Sequence, residues 1–393
     1  MTTSRIHIAP PCRHDGAVRL EGELQLPTGG GHRVFFEFTT PDGHADRPRA
    51  RPFLLAFLLP AMHAGAPLEL DLPVDAITLG NLMEWQEAMA SWSPQTLNVV
   101  PILAPLEAEP EKPRQASTLT AFSGGVDSNF SVWRHGRRRH APLFRTTPLC
   151  AGMMVHGFDI PLAQESVFER AWGRSLVMLE ASGLRAFRLA TNLRSLDRLP
   201  GCEWSRQAHG IWLAAALSCF EPWFGQMLIP SSFPYPALML PWASNPATDR
   251  LFSSAATTYW HDGAAHSKLA KVRAIAGEPA VLRHLRVCWK GEQLDRNCGK
   301  CFKCVATQIC FKLAGVERLE AFPEPCTLAE AARVPVEHEA NAWLVRAMSA
   351  EARQQGRDAL ARALERALAR ARTQKRIWKI KQFIRHWPRK LIR

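Results

Sequence analysis

Six contiguous residues, Ser123-Gly124-Gly125-Val126-Asp127-Ser128, carry the groups that a phosphate site needs. The β-prone run Leu119-Thr120-Ala121-Phe122 leads into them, and apolar residues at helical spacing (Val126, Phe130, Trp133) follow. A strand, a tight glycine turn and a helix start together aim backbone N–H groups at an anion. Gly124 and Gly125 allow close backbone approach and tolerate positive φ. Ser123 and Ser128 offer hydroxyl donors, Val126 offers its backbone N–H, and the first helical turn adds its dipole. Asp127 is a candidate ligand for a Mg²⁺ ion carried on phosphates.

A second cluster is Cys288, Cys298, Cys301 and Cys304, spaced C-x9-C-x2-C-x2-C. Four thiolates this close in sequence suit tetrahedral Zn²⁺, with Gly299 fitting a tight knuckle between ligands. An all-sulfur set leaves no open position for a catalytic water, which favours a structural role; an iron–sulfur cluster uses the same ligands. The remaining cysteines (Cys12, Cys150, Cys202, Cys219, Cys310, Cys326) show no ligand spacing, and most of them are expected as small buried hydrophobes. Cys202, in Pro-Gly-Cys-Glu-Trp, is the candidate reactive thiol among them.

Ser-Gly-Gly-Val-Asp-Ser resembles the PP-loop of the ATP pyrophosphatases, the adenine nucleotide α-hydrolase-like superfamily. The resemblance implies that ATP is cut between its α and β phosphates, with pyrophosphate in the loop and AMP passed to a substrate oxygen. With a four-cysteine knuckle near the end of the same region, residues 117–315 are similar to the 7-cyano-7-deazaguanine synthase family. There the zinc is structural, ATP activates a carboxylate, and ammonia converts it through an amide to a nitrile. The chain departs from that family in an extra N-terminal unit, a long C-terminal extension, and a longer region before the knuckle.

The implied activity is an ATP-dependent, AMP-forming C–N ligase or synthase. It would take ATP, a small-molecule carboxylate or amide, and ammonia or an amine. In that reading Asp127 holds the metal, Lys268 or Lys271 neutralises phosphate charge, and His156 and Asp159 contact nucleotide or substrate. One alternative is a tRNA-modifying PP-loop enzyme that adenylates a base before sulfur or amine insertion. The other is a non-catalytic protein that senses nucleotide.

The elements that position these residues follow from pattern. At 393 residues the chain has room for two or three domains. A hydrophobic share of 47% with 22% charged residues describes an ordinary globular protein rather than a disordered or membrane-embedded one. The N-terminus lacks the apolar core of a signal peptide, so a cytoplasmic location is expected, with cysteines as thiols and metal ligands. Residues 1–112 read as an α+β unit: strands at 18–26 and 33–38, a buried helix at 52–64, a strand at 68–74, a helix at 76–92 and a strand at 97–102. This unit is expected to cover the substrate site or to mediate association into an oligomer. Residues 107–115 form the linker.

Residues 113–320 alternate apolar runs with helical segments, which predicts a parallel α/β sheet. Its strand ends gather residues 123–128, 156–159, Thr191-Asn192 and Ser231-Ser232 on one rim, where open parallel sheets bind ligands. Residues 241–271, including His261, Lys268 and Lys271, read as a loop-rich lip facing substrate.

Residues 321–393 read as a helical, basic extension. Of the net charge of +13, nine Lys or Arg and no acid lie in 372–393. Without them the chain has 40 basic against 36 acidic residues, so the basicity belongs to the tail. Ile377, Ile380, Ile384 and Trp387 recur there at helical spacing between Lys375, Lys379, Arg385 and Lys390. Such a helix suits RNA, an anionic membrane, or docking on its own protein.

Overall fold

The computed structural model describes residues 3–42, 47–107, 116–136 and 146–386, with side chains described as far as residue 377. Eleven strands run in chain order: β1 (Ser4–Ile8), β2 (Cys12–His14), β3 (Ala17–Gln25), β4 (Gly31–Phe38), β5 (Leu68–Leu70), β6 (Ile102–Leu103), β7 (Thr118–Ala121), β8 (Leu149–His156), β9 (Arg185–Thr191), β10 (Gln226–Pro230) and β11 (Thr258–Asp262). They form one mixed, largely parallel sheet in the order β11-β10-β7-β8-β9-β4-β3-β1-β5-β6, with β2 on the side of β3. The chain is thus α/β.

The parallel part is β11-β10-β7-β8-β9. β7 lies fully buried at its centre, as a strand covered on both faces must. From β7 the chain moves out through β8 and β9, then returns to the other side of β7 for β10 and β11. That reversal makes a topological switch point beside the carboxyl end of β7, where the two loops part and leave a crevice. Residues 119–130 sit at it.

The N-terminal strands continue the same sheet. β4 pairs antiparallel with β9, matching Phe36 to Thr191 and Phe38 to Leu189. Asn192 clamps this seam, accepting from the Phe35 N–H and donating to the Arg33 carbonyl, both at 2.9 Å. β3 alternates buried and exposed side chains along its length. Helix Ala50–Ala64 buries nearly all of its residues. It lies against helix His209–Ser218, where Trp212 Nε1 donates to the Ala56 carbonyl at 3.1 Å. One hydrophobic core therefore runs from Ile6 through Phe53 and Trp85 to Trp212 and Tyr259. The linker expected at 107–115 falls almost wholly outside the described residues.

Three local expectations change. Strand 68–74 shortens to Leu68–Leu70 with a lone bridge from Val74 to Leu106, and strand 97–102 shortens to Ile102–Leu103. Val99 and Leu103 are exposed, so little burial drives a longer ladder there. The stretch around His261 is an edge strand, β11, rather than a loop. Its Tyr259 and Asp262 point into opposite cores, a period of two that short flanking loops had hidden.

A second core joins the other face of the sheet to helices Phe302–Leu313 and Glu339–Gln354. Leu344 and Met348 of the latter lie inside it. Helix Asp358–His386 packs through its first turns, burying Leu360, Leu364 and Ala367.

Candidate functional site

The turn after β7 is built from carbonyl groups pulled inward. Gly124 has φ +75°, and a Cβ there would come within 3.1 Å of Met178 Cε and 3.2 Å of Ser175 Oγ. Glycine is required both for the left-handed backbone and for that close approach. The Gly124 carbonyl accepts the Arg286 N–H at 2.9 Å. The Gly125 carbonyl accepts the Asn129 N–H at 3.1 Å, Asn129 Nδ2 at 2.9 Å and Ser128 Oγ at 3.2 Å.

Helix Val126–His135 starts at Gly125 with no side-chain cap. Among the described residues, none accepts a hydrogen bond from the N–H groups of residues 123–128. Ser123 is exposed, its hydroxyl beside this row. The Ser128 hydroxyl, expected as a phosphate donor, spends its proton on the loop instead, and Val126 contributes only backbone because its side chain is buried.

Charge is concentrated here. Lys271 is 2% exposed and uses all three ammonium protons: on Asp127 Oδ1 at 2.7 Å, the Ser231 carbonyl at 2.6 Å and Ser231 Oγ at 3.0 Å. Burial would raise the Asp127 carboxyl, but Lys271, then Lys268, then Lys303, hold it below the usual carboxylate range. Its Oδ2 has no hydrogen-bond partner among the described residues. Lys271 is therefore consumed in fixing Asp127 across the switch point. Lys268, half-buried one turn earlier, forms no ion pair among the described residues.

Asp159 meets Arg286 Nη2 at 3.6 Å. His156, expected as a ligand contact, is buried: its ring stacks on Phe168 at 4.2 Å and its Nε2 lies 3.1 Å from the Pro161 carbonyl. Burial also lowers its pKa. Its role here is to shape the turn after β8.

The four cysteines do converge. Their sulfurs all lie within 4.8 Å of one another, with Cys288 to Cys301 at 3.9 Å and Cys298 to Cys304 at 3.8 Å. A tetrahedron with arms of about 2.3 Å has sulfur–sulfur edges of about 3.8 Å, so the set fits a single ion such as zinc. A cluster that interposes several irons and sulfides needs wider spacing. The Cys304 thiol draws Cys301 down to about 5 by hydrogen bonding, and the same contact pushes Cys304 up. Four sulfurs this close become thiolates together only around a cation.

The knuckle is wired to the loop. Asn297 Oδ1 accepts the Val287 and Cys288 N–H groups, while its Nδ2 donates to Leu285 and Ala321. Two residues before the first ligand, Arg286 braces Gly124 by its backbone and faces Asp159 by its side chain. Cys301 begins helix Phe302–Leu313, whose first turn carries Lys303.

Arg286 and Lys303 were not among the residues expected at the site. The signal available was two cations inside or next to the metal motif. Also unexpected is a chain of half-buried rings beyond the ends of β8, β9 and β10. It runs Phe158–Trp204 (4.9 Å), Trp204–His209 (5.8 Å), His209–Trp242 (5.4 Å) and Trp242–Phe233 (5.1 Å) between centroids.

Other rim residues serve the scaffold. Asn192 holds the β4–β9 seam, and Asp249 is buried against His261 Nδ1 at 2.7 Å and Ser244 Oγ at 2.7 Å. Cys202, the candidate reactive thiol, is fully buried, and burial pushes its pKa well up; it is a core residue.

Cavities of about 180 and 110 Å³ lie elsewhere, lined by residues such as Gln308 and Leu360 or Trp133 and Met178, and not by residues 123–128. No helix among the described residues is long and apolar enough to cross a membrane. No known protein family, curated protein or solved structure matches this chain.

Proposed function

We propose that the chain is an ATP pyrophosphatase of the PP-loop type, an AMP-forming ligase or synthase that adenylates a small carboxylate or amide. The observation that carries the reading is the row of unpartnered N–H groups at 123–128, set at the switch point of the sheet and faced by Lys268, Lys303 and Asp127. Charge-assisted hydrogen bonds from such N–H groups contribute about 1.5–3 kcal/mol each, so several together bind pyrophosphate firmly.

In this reading the triphosphate lies over residues 123–128, its outer two phosphates against the N–H row. A substrate oxygen attacks the α-phosphorus. The bond from that phosphorus to the α–β bridging oxygen breaks, and pyrophosphate leaves with the electron pair. Ammonia or an amine then displaces AMP from the adenylated substrate. The chain's contribution is position and charge neutralisation. Mg²⁺ fits Asp127, whose Oδ2 is unengaged and whose carboxyl is held ionised, and it would neutralise phosphate charge there. Lys271 orients Asp127 rather than touching phosphate, which leaves Lys268 and Lys303 as phosphate cations. The ring wall from Phe158 to Phe233 suits a flat acceptor. The Cys288, Cys298, Cys301 and Cys304 site holds structural zinc.

The test is AMP and pyrophosphate release with Mg²⁺, ammonium and a panel of acids and amides. Gly125→Ala is the informative variant. Gly125 has negative φ, and the added Cβ meets nothing nearer than 3.4 Å in the protein, so the fold survives while a methyl intrudes on the phosphate row. A loss of about tenfold or more with unchanged melting temperature is expected. Equal turnover in parent, Gly125→Ala and Asp127→Asn sinks the proposal. Tight ATP binding without AMP would select a sensor instead.

A further inference from the structure

His209 stands in the ring wall with a free lone pair. Helix His209–Ser218 connects β9 to β10, two strands that run the same way, so it begins at their carboxyl ends, on the rim that carries residues 123–128. It lies against β7 and shares one core with Leu119 and Ala121, while helix Val126–His135 belongs to the core on the other face. His209 therefore sits across the end of β7 from the helix that starts at Gly125.

The chain enters this helix through a π turn, Trp204–Ala208, a widened turn that recurs at functional sites. The turn brings the Trp204 carbonyl to the His209 N–H and to its Nδ1, the latter at 2.9 Å. A carbonyl only accepts, so Nδ1 carries the proton of the neutral ring and Nε2 is left as a bare lone pair. Nε2 has no hydrogen-bond partner among the described residues. Trp204 and Trp242 flank the ring, and the loop carrying Trp242 is fitted closely to the helix start. A Cβ on Gly210 would meet the Ala243 carbonyl at 1.9 Å, and the Ala243 N–H donates to the Ser205 carbonyl at 3.2 Å.

Burial lowers the His209 pKa, which keeps the ring neutral at pH 7; the Trp204 carbonyl, Asp249 and Asp159 oppose that, and Lys303 adds to it. Asp159 and Lys303 are the charges beside the phosphate loop, so His209 lies within their field. Further out, Arg194 pairs with Asp197 and covers the Trp204 ring, and His261 stands behind Asp249.

We propose, resting on the adenylating reading of residues 123–128, that His209 is the general base of the amine step. With a carboxylate acceptor, nitrogen bonds to the carbonyl carbon of the adenylate. The bond from that carbon to the AMP oxygen breaks, and AMP leaves with the electron pair. Nitrogen sheds one proton, which Nε2 accepts and returns to solvent.

The experiment separates two half-reactions of the full chain at saturating acid, with benzoate and nicotinate among the acids tried. Exchange of labelled pyrophosphate into ATP needs adenylation alone; amide formation with ammonium needs both steps. In His209→Asn the Asn amide replaces Nδ1 toward the Trp204 carbonyl but offers no basic lone pair. Exchange should stay within about threefold of the parent, while amide formation falls about a hundredfold or more. The deficit should shrink as pH falls below about 6.5, because the parent then loses its base while the titration of ammonium is common to both proteins.

A variant that forms amide as fast as the parent overturns the proposal and leaves the adenylating reading intact. Equal loss in both half-reactions, or a deficit unchanged by pH, also overturns it, since His209 would then only shape the wall. A parent that exchanges no pyrophosphate with any acid ends the adenylating reading, and this proposal with it.

Discussion

Lys271→Met is the sharpest perturbation of the site. The ammonium is 2% exposed and makes three hydrogen bonds, one of them the 2.7 Å ion pair to Asp127. Breaking a buried ion pair from one side costs about 3–5 kcal/mol, chiefly because a charge is left unpaired. Asp127 retains 28% exposure, so water relieves part of that, while Ser231 loses a donor at both of its oxygens. A destabilisation of about 3 kcal/mol at pH 7 follows.

The pH dependence has a definite sign. In the parent, Asp127 is held below the usual carboxylate range. Its contribution is therefore full above the unfolded value near 4 and lost as pH falls through the folded one. In the variant, Lys268 and Lys303 alone oppose the burial that raises this carboxyl, so it takes up a proton at higher pH than in the parent. The cost of Lys271→Met should shrink between pH 7 and pH 5. Urea unfolding at both values measures it. In an Asp127→Asn background the substitution should cost at least about 1 kcal/mol less, because the unpaired charge is already gone. A cost below about 1 kcal/mol at pH 7, or one unchanged by pH and by Asp127→Asn, would refute the argument.

Two further outcomes are expected. Purified protein should carry one zinc per chain by elemental analysis; Cys298→Ser or chelation should lower the melting temperature, and a metal-free protein of equal stability would contradict the fit of the four sulfurs. Asp262 bonds Ser131, Arg134 and His135, and its pKa falls from 3.8 to about 2 against the opposing effect of burial, so it contributes about 2 kcal/mol that is full above pH 4 and lost as pH falls toward 2. Asp262→Asn should show that deficit at pH 7 and none near pH 2 by the same unfolding assay.

What the sequence disclosed and what it hid divide along contact range. The glycine turn was legible because strand, turn and helix start are consecutive, and the cysteines because their spacing is local. Lys271 and Asp127 meet across 144 positions, so a lysine near the site could be named but not its duty. Lys271 was grouped with Lys268 as a phosphate cation. Only packing shows that its three protons are spent on Asp127 and Ser231. The β4–β9 seam joins residues some 150 positions apart, and nothing in either strand's alternation announces the other. Ser128 and His156 had suitable chemistry at suitable places, yet their hydrogen bonds turn inward. Residue type foretells capacity; direction comes from the tertiary structure.

The knuckle is best understood together with the loop. Arg286 and Lys303 come from opposite ends of the cysteine segment, and both belong to the charge field around Asp127 and Asp159. Without a metal, that segment is closed by the four hydrogen bonds of Asn297 and by those from Arg286 Nη1 to the Cys288 and Leu294 carbonyls. A tetrahedral ion joins both ends to one point and so fixes two cations relative to the Gly124 carbonyl that Arg286 holds. The sulfur site thus fixes Arg286 beside the Gly124 carbonyl and Asp159. Metal loss should therefore weaken phosphate binding before it unfolds the sheet, since β7, β8 and β10 keep their own core.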